Sequence, residues 1–139
     1  MSGLPPLSDI LEEYQLVDLE DRYRLLIDLG RQLEPMPEAF KTDATRVRGC
    51  AASVWVYATV ADGRLHFLAD SNAAITKGIV ALVLSAVQDK PAAEAARMDV
   101  SAALSAFELS KHLSPNRTQG VPNMIALVKQ TAQRYAAMA

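Results

Sequence analysis

An α+β fold in two layers is the architecture this sequence predicts, and three observations predict it. Strand-like alternation is confined to one stretch, from Arg46 to Asp70. Helical periodicity occupies both flanks. The strands follow one another instead of alternating with helices, which separates α+β from the α/β classes. The expected sheet is a three-stranded antiparallel meander with one face packed on helices.

Each element has a local reason. Residues 1–7 form an arm stiffened by Pro5-Pro6. Ser8 is placed to cap a first short helix, with Asp9 and Glu12 near its positive end and Ile10, Leu11, Tyr14 and Val17 on one face. Asp18 caps a second helix whose inward stripe is Leu19, Tyr23, Leu26, Ile27, Gly30 and Leu33. Pro35 and Pro37 stop it, and 34–45 reads as a crossing loop.

A short first strand is expected near Arg46. From Ser53 to Val60, Val54, Val56, Ala58 and Val60 alternate with Trp55, Tyr57 and Thr59. Asp62-Gly63 signals a tight hairpin into a third strand, where Leu65, Phe67 and Ala69 alternate with His66, Leu68 and Asp70. Asp70-Ser71-Asn72 closes the sheet and offers caps for a long helix bearing Ile75, Ile79, Leu82, Val83 and Ala86. Asp89-Lys90-Pro91 ends that helix and leads into a short alanine-rich turn. Asp99 caps the next helix, with Val100, Leu104 and Phe107. A punctuated segment, 111–120, precedes a last helix with Pro122 in its first turn and a stripe of Met124, Ile125, Val128, Ala132 and Tyr135.

The length of 139 residues suits one domain, 1–139, with a real core. Sixteen acidic residues against fourteen basic give a net charge of −2, so composition offers no electrostatic case for nucleic acid or an anionic membrane. The N-terminus has neither a basic n-region nor an apolar h-region, and no apolar run is long enough to span a bilayer. The expected setting is a reducing cytoplasm, where the single cysteine, Cys50, stays a usable thiol.

Cys50 is the candidate catalytic residue. A free cysteine is often just a small buried hydrophobe. Here Gly49 frees the backbone before it and Ala51-Ala52 leave it unobstructed. Arg46 and Arg48, alternating about Val47, are placed to favour the thiolate. An iron–sulfur cluster needs about four ligands, so one cysteine argues against a self-contained scaffold. A zinc site would have to gather Cys50, His66, His112 and Asp70, and no paired ligand spacing supports it. No metal or cofactor is therefore expected in the chain. A cysteine hydrolase would need His66 or His112 as base, yet each is more simply a surface residue. Thiol–persulfide exchange needs one thiolate, access for a donor and shelter for the product. Two rival classes stay open: a cysteine-dependent hydrolase or thiol oxidoreductase, and a pure interaction module with an incidental cysteine.

Three blocks carry a family resemblance: Val47-Arg48-Gly49-Cys50 with Ser53-Val54-Trp55; Asp70-Ser71-Asn72-Ala73-Ala74-Ile75-Thr76-Lys77-Gly78; and His112-Leu113-Ser114-Pro115-Asn116-Arg117-Thr118-Gln119-Gly120. In this order they resemble the motifs of the SufE/CsdE family of sulfur acceptors, and the likeness runs from about Tyr14 into the last helix. The resemblance implies a two-layer SufE/NifU-like fold with a three-stranded meander. It implies that Cys50 accepts sulfur from a pyridoxal-phosphate-dependent cysteine desulfurase of the SufS or CsdA kind and stimulates its turnover. The sulfur then passes to an iron–sulfur scaffold such as SufB, or in the CsdE branch to other acceptors. The chain is thereby a carrier and activator, a monomer or homodimer, and the pyridoxal phosphate belongs to its partner. Ala51-Ala52-Ser53 and Asn72 depart from the commoner polar and acidic residues of the family. Arg117 is expected to clamp the loop of the third block, Lys77 to be a surface charge, and Trp55, Ile75 and Ile79 to line a dry pocket for the persulfide.

Overall fold

The computed structural model describes residues 3–138. Its organising unit is the hairpin turned by Asp62-Gly63. Strand β1 (Val54–Ala61) pairs antiparallel with β2 (Arg64–Ser71), from Val54 opposite Ser71 to Ala61 opposite Arg64. Asp62 and Gly63 have φ of 54° and 74°, the two positive angles that a two-residue primed turn requires. Val54, Leu65, Phe67 and Ala69 are buried on the inner face. On the outer face Tyr57 stacks on Phe40 of the crossing loop, ring centroids 4.7 Å apart.

The sheet has three strands in the order β1-β2-β3, but the short strand expected near Arg46 is not one of them. The segment at Arg46 makes only one bridge, to Trp55, through bonds from Val47 N–H to the Val54 carbonyl and from Val56 N–H to the Thr45 carbonyl. The chain turns at Thr42–Thr45, where the Thr45 hydroxyl donates to the Phe40 carbonyl, and again at Gly49. Too little chain lies between these turns for a longer ladder. Instead β3 (Lys90–Pro91) pairs with Leu65 and Arg64 of β2. Gln88 prepares the way, its side-chain amide exchanging hydrogen bonds of 2.7 and 2.8 Å with the main chain of Phe67. Pro91 lacks an N–H and is tolerated because this strand is an edge.

Helix α3 (Ala74–Val87) packs on β2, and α1 (Leu7–Leu16) and α2 (Leu19–Arg31) pack on α3. Almost all of α3 is buried, as a helix apolar on every side must be. Gly30 and Gly78 let α2 and α3 come together: a Cβ on Gly78 would overlap the Leu26 main chain, and one on Gly30 would lie 2.9 Å from Gly78 N. Asp18 caps α2 through Asp21 N–H at 3.0 Å. Four shorter or later helices follow β3: α4 (Ala92–Arg97), α5 (Val100–Ser105), α6 (Leu109–His112) and α7 (Pro115–Thr118). The last, α8 (Val121–Met138), packs against α4 and buries Met124, Val128 and Ala132. Asp99 caps α5 through Ala102 N–H.

Three local expectations are corrected. Helix α1 starts at Leu7, with Pro6 at its cap position and no side-chain cap from Ser8. Ala73, not a residue of Asp70-Ser71-Asn72, caps α3, and without a side-chain bond. Leu19 is exposed while Leu29 is buried, so the inward stripe of α2 is rotated from the one expected. Among the described residues no helix is long and apolar enough to cross a membrane.

Candidate functional site: the Cys50 loop

Cys50 sits between the Arg46 bridge and β1, at the end of the sheet away from the hairpin turn. Beyond the tight turn at Arg48–Gly49, residues 49–52 form no main-chain hydrogen bond among the described residues. The loop is fastened at its two ends instead. At the front, Asn123 in the first turn of α8 donates from Nδ2 to the Arg48 carbonyl at 2.8 Å. At the back, Ser53 N–H donates to Asn72 Oδ1 at 3.1 Å, and Asn72 N–H returns a bond to the Ser53 carbonyl at 3.3 Å. Gly49 has φ +83°, which L side chains rarely adopt, and a Cβ there would strike Asn123 Nδ2.

The thiol is half-buried. Its cover is the buried Gly120, just before α8: a Cβ on Gly120 would fall on Cys50 Sγ and 3.0 Å from both Cys50 Cα and Cβ. Burial pushes the thiol pKa up, and Arg46 offsets only part of that rise. This corrects the expectation that Arg46 and Arg48 leave a depressed pKa. Desolvation disfavours the thiolate more strongly than an exposed, water-screened guanidinium favours it. In the closed loop the sulfur is held mainly as the thiol.

The outer face next to the loop is electrostatic. Asp70, opposite Trp55 in the ladder, is bridged by Lys41 Nζ at 2.8 Å and Lys77 Nζ at 3.1 Å and accepts Ser71 N–H at 2.8 Å. Burial pushes the Asp70 carboxyl up, but these three donors outweigh it and the net shift is down. Lys41 also lies over the Trp55 ring, 5.5 Å from its centroid. Lys77 is thus an ion-pair partner, not a free surface charge. The expected pocket of Trp55, Ile75 and Ile79 is not assembled. Trp55 is on the outer face, whereas Ile79 is wholly buried in the core.

The remaining candidates are engaged elsewhere. His66 lies toward the hairpin, roughly 20 Å along the strand from the loop, and contacts Asp89 at 2.7 Å and Glu34 at 3.1 Å. His112 Nε2 faces Arg22 Nη1 at 3.0 Å, and the His112 carbonyl accepts the Tyr23 hydroxyl at 2.5 Å. Neither histidine hydrogen-bonds Cys50. Cys50, His66, His112 and Asp70 do not converge, and among the described residues no group of three His, Cys, Asp or Glu is placed to hold a metal ion. Arg117 is exposed, and its guanidinium makes no hydrogen bond or ion pair among the described residues, so the expected clamp is absent. A cavity of 540 Å³ bounded by Leu104, Leu109, Val121 and Ile125 does not include Cys50.

Comparison with known proteins decides the family. Residues 8–132 match the family described as SufE, Fe-S metabolism associated domain. The chain belongs to the SufE family. An uncharacterised SufE-like protein of Rhizobium meliloti (strain 1021) is 38% identical over 132 residues, covering 91% of this chain and 94% of that protein. The solution structure of a hypothetical protein from Thermus thermophilus superposes with a TM-score of 0.77 over 96% of this chain and 98% of that one. At 18% identity that likeness speaks for the fold alone. Membership in the SufE family places the chain in iron–sulfur metabolism.

In this SufE protein three blocks distant in sequence meet around the Cys50 loop. The first supplies Cys50 on its glycine turn, the second supplies Asn72, and the third supplies Gly120. Neither Gly120 nor Asn123 stands out in the sequence as a partner of the Cys50 loop. The only available signal was that both stand where a helix begins, the place where a chain can approach another closely.

Proposed function

We propose that Cys50 is a sulfur acceptor that takes the outer sulfur of a persulfide on a cysteine desulfurase of the SufS or CsdA kind. The observation that carries this reading is the loop itself. It holds the one cysteine of the chain, half-covered by Gly120, on a segment with two side-chain ties and, among the described residues, no main-chain bonds beyond the tight turn at Arg48–Gly49. Such a sulfur is sheltered at rest and is released by breaking very few contacts.

The step balances without an added oxidant or reductant. The Cys50 thiolate attacks the terminal sulfur of the donor persulfide. A new S–S bond forms at Cys50, the old one breaks, and the donor cysteine leaves as a thiolate. Lifting the loop removes the burial that raises the thiol pKa, so the thiolate is favoured at the moment the sulfur becomes accessible. A scaffold of the SufB kind then receives the sulfur by the same type of exchange. No cofactor in this chain is required. The pyridoxal phosphate acts on the desulfurase, and the setting is the reducing cytoplasm. A hydrolase would need an imidazole against the sulfur, and both histidines are held by other partners.

The test is intact mass after incubation with a desulfurase of this kind and free cysteine. The wild type is expected to gain one sulfur atom and Cys50→Ser none. An unchanged wild-type mass would end the proposal.

A further inference from the structure

The front tie of the loop differs in kind from the back one. At the back, Ser53 and Asn72 exchange two bonds in line with the β1–β2 ladder. At the front there is a single bond, from Asn123 Nδ2 to the Arg48 carbonyl, made by an exposed side chain. It spans from the first turn of α8 to the residue before the glycine turn. A groove of about 450 Å³ lined by Arg46, Arg48, Asn123, Leu127 and others runs beside it, so water competes for both partners. Gly49 is what permits the approach, since any Cβ there would occupy the position of Nδ2. Beyond this bond, the front half of the loop is held, among the described residues, by the tight turn at Arg48–Gly49 and the fit of Cys50 on Gly120.

We infer that Asn123 is a positioning residue, a releasable latch that sets how often the Cys50 loop lifts and presents its sulfur. Its biological purpose rests on the sulfur-acceptor reading, but the latch itself is a property of the free chain. The loop hinges at Ser53–Asn72 and opens at Arg48. A surface that takes the Arg48 carbonyl or the Asn123 amide for its own hydrogen bond unlocks the loop, so release is coupled to contact at this groove.

The experiment measures alkylation of Cys50 by iodoacetamide across pH in the full chain. Asn123→Ala removes the side chain, and Asn123→Leu keeps about its size but removes the donor without adding a charge. Both are expected to alkylate about three- to tenfold faster, the factor that one modest, water-competed hydrogen bond is worth in an opening equilibrium. Both should also show a lower apparent thiol pKa, because the sulfur spends more time outside its burial. Asn123 is exposed, so melting temperatures should stay close to wild type. Val100→Ala, in the core at α5, serves as the comparison. It lowers the melting temperature and is expected to leave the thiol pKa unchanged. Rates and apparent pKa at wild-type values in both Asn123 variants overturn the latch. So does a pKa shift of equal size in Val100→Ala. No desulfurase is used, so failure here is distinct from failure to take up sulfur.

Discussion

Gly120 lies directly beneath Cys50, close enough that any side chain on it would occupy the space of the sulfur. A residue at the start of one helix thereby sets the resting place of a thiol on a loop 70 positions earlier. The consequence is measurable. Gly120→Ala must displace either the loop or the start of α8, and the loop has fewer bonds to lose. The loop is expected to be pushed outward, at a cost of about 1–3 kcal/mol in stability, with faster alkylation of Cys50. Denaturant melts and thiol-labelling rates check the two effects separately. Unchanged labelling would show that α8 yields instead.

The contact between α2 and α3 predicts a larger loss. A Cβ on Gly78 would overlap the Leu26 carbonyl and lie 3.0 Å from its Cα, and backbone on both sides leaves nothing flexible to move. Gly78→Ala is expected to cost about 3 kcal/mol or more by forcing the helices apart. Urea unfolding measures it, and a loss under about 1 kcal/mol would mean that the helices slide freely.

Most local features were legible in the sequence, the caps expected at Ser8 and at Asp70-Ser71-Asn72 excepted, and contacts made across the fold were not. Asp62-Gly63 with alternation on both sides fixed the hairpin and its register, because a two-residue turn leaves no other pairing. Asp18 and Asp99 act as caps because capping is settled within three residues. Cys50 stood out for its neighbours Gly49 and Ala51-Ala52. The direction of its pKa shift was read wrongly, because the arginines are visible in sequence while the cover from Gly120 is not. The strand expected near Arg46 is replaced by one at Lys90–Pro91 for a similar reason. Gln88 stands in for a strand residue with its side chain, and no period in the sequence reports that. The pocket drawn around Trp55 failed because alternation gives opposite faces but does not say that Lys41 covers the outer one.

Trp55 is the chain's one tryptophan, so its emission reports on the cluster of Lys41, Asp70 and Lys77. The Asp70 carboxyl is held below its ordinary value of 3.8, so its ion pairs are intact above that pH. They are lost as the pH falls through the lowered value. A fluorescence change is expected in that acid range as Lys41 leaves the ring. Lys41→Met should remove most of the change, and Asp70→Asn should show the released spectrum at neutral pH. A Trp55 titration that is the same in all three proteins would disprove the coupling.

His66 joins two segments, the turn before β3 through Asp89 and the loop after α2 through Glu34. The hydrogen bond to Asp89 does most to raise its pKa above 6.5. Partial burial opposes this, and Glu34 adds to the rise. Arg64 also reaches this turn, donating to the Asp89 carbonyl at 2.9 Å. Because the folded-state pKa is the higher one, the protonated imidazole stabilises the fold fully below about pH 6.5. That contribution is lost as the pH rises through the raised value. His66→Gln is therefore expected to be less stable than wild type by about 1 kcal/mol at pH 5.5 and nearly equal to it at pH 9. Urea unfolding of both proteins at the two pH values checks the sign. A gap that widened toward pH 9 would mean that the neutral ring is the form the fold prefers.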